Sequence, residues 1–156
     1  LEFGANIGLN LMAIRQLIPN IEIAGVEINK EAASQLALIE KIKVHNKSIL
    51  DFTPTLQYDL VLSKTLLIHI NPDKLATVYD LMYQSSTRYI CIVEYYNHTP
   101  VSINYRGHSD KLFKRDFAGE FLDKFKDVCL VDYGFVYHKD NHFPLDDQTW
   151  FLLEKI

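Results

Sequence analysis

Three short stretches hold residues whose types and spacing could do chemistry. The first is Leu1-Glu2-Phe3-Gly4-Ala5-Asn6-Ile7-Gly8-Leu9-Asn10, an apolar strand end that runs into a glycine-bearing turn and opens a helix. The second is Gly25-Val26-Glu27-Ile28, which puts an acid at the end of the next apolar run, roughly 20 residues beyond the turn. The third is Ser48-Ile49-Leu50-Asp51-Phe52, an acid among apolar neighbours. In an α/β domain these parts serve a nucleoside: bare backbone comes close to a charged tail, a carboxylate takes the ribose hydroxyls, and an apolar clamp with one polar contact takes the base.

Spacing distinguishes the possible nucleosides. The dinucleotide pattern G-x-G-x-x-G needs glycine at its first, third and sixth positions, which here are Gly4, Asn6 and Leu9. That argues against an NAD-dependent oxidoreductase. The loop of S-adenosylmethionine (SAM) enzymes, E/D-x-G-x-G-x-G, asks for an acid two residues before the first glycine and a glycine four after it. Glu2, Gly4 and Gly8 meet that pattern, and Asn6 stands where the middle glycine would be. Asn tolerates a positive φ better than other residues with a side chain. SAM is therefore the expected cofactor, held by Glu2, Gly4, Asn6, Gly8, Glu27, Ile28, Ile49, Leu50 and Asp51. Glu2 either meets the SAM amino group through water or orients the loop. Lys64, in Ser63-Lys64-Thr65 after another apolar run, is a further cofactor contact, with a solvated turn as the alternative.

The acceptor of a methyl group belongs beside the later strand ends. There Glu94-Tyr95-Tyr96-Asn97 leaves a strand and Tyr105-Arg106-Gly107-His108 follows. Transfer to oxygen benefits from a base, whereas transfer to an amine needs mainly positioning. His108 and Glu94 are the candidate bases, with Tyr95 beside them. Arg106, Lys111, Lys114 and Arg115 could hold a phosphate or carboxylate, or simply form a solvated basic loop. His69 reads as structural. His98, His108, His138 and His142 stand in loop segments where a solvated imidazole is the ordinary outcome, and turn residues break up the His138/His142 pair, so no metal is expected.

The elements that must position these groups follow from periodicity. Leu11, Ile14, Leu17 and Ile18 predict a helix face stopped by Pro19-Asn20, and 21–28 predicts a strand. Asn29 caps a helix carrying Ala33 and Leu36, 42–44 predicts a short strand, and 58–63 a buried one. Asn71-Pro72-Asp73 starts a helix with Leu75, Val78, Tyr79 and Met82 inward. A strand is expected over 89–93, an aperiodic loop over 98–114, a helix over 116–125, and an antiparallel pair over 128–137 and 149–153. The fold class is α/β: a Rossmann-like, doubly wound, mainly parallel sheet with an antiparallel C-terminal edge hairpin.

The 156 residues suit a single domain, 1–156. Because the first residues read as the second half of a strand, a preceding segment is expected. The net charge of −4 and the absence of a Lys/Arg block give no footprint for nucleic acid. No apolar run approaches the roughly 20 residues of a membrane span. Cys91 and Cys129 sit in apolar runs without metal spacing, as buried reduced thiols of a cytoplasmic protein do.

With these residues in place, the chain resembles the small methyltransferases associated with pseudaminic acid biosynthesis, a branch of the class I SAM-dependent superfamily. The resemblance runs through the opening loop, Gly25–Asn29, Leu67-Ile68-His69-Ile70-Asn71-Pro72, Glu94–Asn97, Tyr105–His108, 113–120 and Thr149-Trp150-Phe151-Leu152-Leu153. It implies a cytoplasmic enzyme that methylates a small sugar or nucleotide-sugar intermediate of surface-glycan synthesis. It also implies that Asn6 is a native form of the loop. The alternative is a non-catalytic SAM- or nucleoside-binding module within a biosynthetic assembly.

Overall fold

The computed structural model describes all residues except Arg106, and the side chains of all others except Tyr105, His108, Ser109, Asp110 and Lys111. Seven strands form one sheet in the order β3-β2-β1-β4-β5-β9-β8: β1 (Glu2–Phe3), β2 (Ile23–Glu27), β3 (Ile42–Asn46), β4 (Tyr58–Lys64), β5 (Ser86–Glu94), β8 (Val128–Val136) and β9 (Gln148–Lys155). The first five pair in parallel, and β9 runs antiparallel to both β5 and β8. The doubly wound sheet and its antiparallel C-terminal pair are thus as expected.

Helices α1 (Leu9–Leu17) and α2 (Lys30–Leu36) cover one face, and α3 (Pro72–Ser85) and α4 (Phe117–Lys124) cover the other. Successive strand residues point to opposite faces. Ile23 joins Ala5, Leu11 and Leu36 on one side. Ala24 and Val26 join Phe3, Val61, Ile90 and Ile92 against Met82, Phe117 and Phe121 on the other. The predicted α1 face is only partly right. Leu11 is buried, but Leu17 and Ile18 are 82% and 55% exposed at the end of the helix.

Polar side chains define the helix starts. Asn29 accepts from the Ala32 amide at 3.0 Å, and Asp116 from the Gly119 amide at 2.8 Å. Asn71 accepts from the Asp73 amide at 3.0 Å with Pro72 opening the helix. Asn71→Ala is expected to destabilise the fold by about 1 kcal/mol, the usual cost of a lost cap, read as a lower denaturant midpoint at unchanged slope. α1 differs, because it begins at Gly8 with no side-chain cap and no acid in its first turn. Its first amides are left for another acceptor.

The segment expected to be an aperiodic loop is instead a separate antiparallel hairpin, β6 (Val101–Tyr105) and β7 (His108–Lys114). Gly107 sits in its turn at φ 84°. Leu112 of this hairpin is buried in the main core.

Candidate active site

β1 lies between β2 and β4, with Phe3 level with Val26 on one side and Ser63 on the other. The chain leaves β1 towards β2 and later crosses to β4 on the opposite side, so a crevice opens at the carboxyl ends of these strands. A cavity of about 830 Å³ fills that crevice. Gly4, Asn6, Glu27, Ile28, Ile49 and Lys64 line it, as do Asn10, Lys47, Ser48 and His69.

The loop takes its shape from three left-handed residues, Gly4 (φ 71°), Asn6 (φ 49°) and Gly8 (φ 87°). Asn6 adopts the conformation a central glycine would have supplied. Gly8 also packs closely, since a Cβ there would stand 2.5 Å from Ile39 Cδ1 and 2.6 Å from Leu36 Cδ1.

Glu27 ties this loop to the next strand. Its Oε2 accepts from the Asn6 amide at 2.8 Å and its Oε1 from the Asn29 amide at 2.7 Å. Each carboxylate oxygen has two lone pairs, so both can still accept a hydroxyl from the cavity.

Glu2 is buried below the cavity wall, and its Oε1 accepts from Asn10 Nδ2 at 2.7 Å. Asn10 Oδ1 in turn accepts from Lys64 Nζ at 3.4 Å. This line of contacts joins the ends of β1 and β4 through α1, and it presents Asn10 and Lys64 where Glu2 does not reach. Burial pushes the Glu2 carboxyl up to about 7.

Leu50 and Asp51 depart from the expected arrangement. A 3-10 turn over Ile49–Asp51, capped by Ser48 Oγ accepting from the Leu50 amide at 3.2 Å, keeps Ile49 on the cavity and leaves Leu50 and Asp51 exposed outside its lining. Ser48 and Lys47 occupy that edge instead.

A second cavity of about 560 Å³ adjoins the first, and Lys64, Thr65 and His69 line both. Thr65 has φ 52°, an uncommon conformation for a β-branched residue. Its amide donates to Val93 O at 2.9 Å, which holds the strained turn at the junction. Such strain tends to persist where the surroundings over-determine it, as they do at functional sites.

The candidate bases separate. Glu94 lies in the interior, 2% exposed, and is absent from both linings. Its Oε1 accepts from the Leu66 and Leu67 amides at 2.9 and 2.8 Å, so it caps the 3-10 turn over Leu67–His69. Burial pushes its carboxyl up to about 8. Tyr95 lines the second cavity and donates to Asp146 Oδ2 at 3.2 Å. The His108, Arg106 and Lys111 side chains lie outside the described residues.

Lys114 also lines the second cavity, while Arg115 pairs with Glu120 at 2.5 Å. His138 Nδ1 is 2.8 Å from Asp147 Oδ1 and is committed to that pair. His69, read from sequence as structural, is the histidine at the junction among the described residues. Asn10, Ser48 and Gln148 line the cavities without having been singled out in the sequence.

No protein-family model and no curated protein sequence matches the chain. Solved structures do. It is similar to the 1,6-didemethyltoxoflavin-N1-methyltransferase of Burkholderia thailandensis, crystallised with 1,6-didemethyltoxoflavin and S-adenosylhomocysteine (TM-score 0.74, 14% identity, 99% of this chain and 69% of that one). It is similar to the glycopeptide N-methyltransferase MtfA complexed with S-adenosylhomocysteine (TM-score 0.74, 9% identity, 99% and 81%). A third match is the magnesium protoporphyrin IX methyltransferase of Synechocystis PCC 6803 with bound SAM (TM-score 0.70, 11% identity, 99% and 68%). With these matches and its sheet order, the chain has the Rossmann-like fold of the class I SAM-dependent methyltransferases.

Proposed function

We propose that the chain is a SAM-dependent methyltransferase acting on a small sugar-like acceptor, a sugar or nucleotide-sugar intermediate of surface-glycan synthesis of the pseudaminic acid type. The observation that carries the reading is the Glu27 carboxylate, fixed by two amides at the wall of a cavity that opens into a second one. The sequence resemblance supports the sugar, and the SAM or S-adenosylhomocysteine held by the matched structures supports the cofactor. Two free cysteines suit a reducing compartment such as the cytoplasm. Burial pushes the Cys91 thiol up to about 11, so it is no nucleophile at neutral pH.

The residues fit SAM. Glu27 would take the ribose hydroxyls, Ile28 and Ile49 the adenine faces, and Gly4, Asn6 and the uncapped start of α1 the methionyl carboxylate. Asn10 and Lys64 complete that end, with Glu2 holding Asn10 in place. Bound SAM supplies a methyl carbon activated by its sulfonium, which an acceptor lone pair takes as the carbon–sulfur bond breaks.

The junction of the cavities is where such an acceptor lone pair must stand. His69 lines both and is exposed to them, so its ring takes up the proton that the acceptor oxygen or nitrogen releases. Tyr95 orients the acceptor in the second cavity. His69→Asn is expected to lower kcat about 10²-fold with SAM affinity unchanged. Mass spectrometry of methylated product from a pool of amino sugars and nucleotide sugars checks the fall in rate. The same pool tests the function: no product while SAM binds would leave a non-catalytic binding module.

A further inference from the structure

The second cavity contains an unpaired buried acceptor. Gln148, at the start of β9, lines it and is only 5% exposed, yet its Oε1 has no hydrogen-bond partner among the described residues. The Tyr95 hydroxyl in the same lining donates to Asp146 Oδ2 at 3.2 Å and so offers that oxygen no donor. A buried carbonyl without a donor costs free energy that a ligand hydroxyl or N–H would recover.

Charge adds a second condition. Lys64 and Lys114 place two ammonium groups in the lining against one carboxylate, Asp146, which is already engaged by Tyr95. Lys114 Nζ stands 4.9 Å from the centre of the Tyr95 ring, so the cation and the unpaired carbonyl belong to one cluster around Tyr95. Ile68, Leu112 and Leu145 supply the apolar wall. A volume of about 560 Å³ is within the range of small-molecule sites.

We propose that this cavity seats a hydroxyl-bearing anion of monosaccharide size, with Gln148 Oε1 accepting from a ligand hydroxyl and Lys114 holding its anionic group. Gln148 thereby selects the acceptor, and the Lys64–Thr65–His69 junction meets the end that is methylated. The assignment of this ligand as the methyl acceptor rests on the methyltransferase reading above. The binding site itself does not.

Calorimetric titration of the protein with glucose 6-phosphate, glucosamine 6-phosphate and glucuronate, in the presence of S-adenosylhomocysteine, tests it and separates phosphate from carboxylate as the anion. At least one should bind, and uncharged glucose should bind at least tenfold more weakly. Gln148→Met, similar in length but without the carbonyl, should weaken binding roughly tenfold, as should Lys114→Met. S-adenosylhomocysteine affinity should be unchanged in both, which also reports that each variant is folded. Failure of all three anions to bind a protein that binds S-adenosylhomocysteine would overturn the inference, as would equal affinity in Gln148→Met. Loss of S-adenosylhomocysteine binding in the unaltered protein, with the sugar anion still bound through Gln148, would overturn the methyltransferase reading alone.

Discussion

Glu27→Ala is expected to weaken SAM binding on the order of 10³-fold, the worth of two charge-assisted hydrogen bonds to ribose hydroxyls. The side chain has two tasks. It presents a carboxylate to the cavity, and it holds the Asn6 and Asn29 amides at 2.8 and 2.7 Å. Alanine removes both, so the left-handed turn at Asn6 loses its tether as the ligand contact disappears. Glu27→Gln separates the tasks poorly, because its amide NH2 would face a backbone N–H where an oxygen now accepts. It too should lose most of the affinity. Calorimetry of SAM with each variant checks the prediction, and near-native far-ultraviolet dichroism of Glu27→Ala would locate the loss at the site.

The second large effect is a fall in stability with rising pH. Burial raises the carboxyl of Glu2 to about 7 and that of Glu94 to about 8. The folded chain therefore holds two protons that the unfolded chain releases near the ordinary carboxylate value. Their contribution is fully present below that ordinary value and is lost as pH rises through about 7 and about 8. Each group costs up to about 1.4 kcal/mol per pH unit over its window. The unaltered protein should thus lose several kcal/mol between mildly acidic and mildly alkaline pH. Glu94→Gln keeps an oxygen for the Leu66 and Leu67 amides and cannot ionise, so it should lose about half as much. Urea midpoints across that range measure it. A flat profile in the unaltered protein, or the same slope in Glu94→Gln, would contradict the assignment.

Much of the site was legible because its carriers are local. Gly4 and Asn6 stand in one turn and Glu27 ends the next apolar run, whereas Glu2 and Gly8, also expected at the cofactor, shape the loop without lining the cavity. Strand ends that adjoin in a parallel sheet can be read from sequence once the strands are recognised. What failed depended on contacts distant in the chain. Glu94 ends its strand as a ligand-facing acid would, but the amides it caps lie 28 and 27 residues earlier, and no local pattern announces them. Asp51 is turned outward by a 3-10 turn only three residues long. Gln148 acquires its place only when β9 inserts between β5 and β8.

Other misses had a signal. Val101, Ile103 and Tyr105 alternate with polar residues before Arg106-Gly107, the pattern of a hairpin strand leading to a tight turn. Leu17 and Ile18 kept the helical spacing, yet α1 ends at Leu17 and Ile18 is already non-helical, and both are exposed. His69, which the sequence reads as structural, follows the buried Leu67 and Ile68 and is itself exposed, lining both cavities.

The most direct measurement is calorimetric titration of the protein with SAM and, separately, with NADH. Saturable one-to-one binding of SAM, abolished in Glu27→Ala and absent for NADH, is the predicted result. No heat with SAM or S-adenosylhomocysteine, or binding of NADH in their place, would contradict the account.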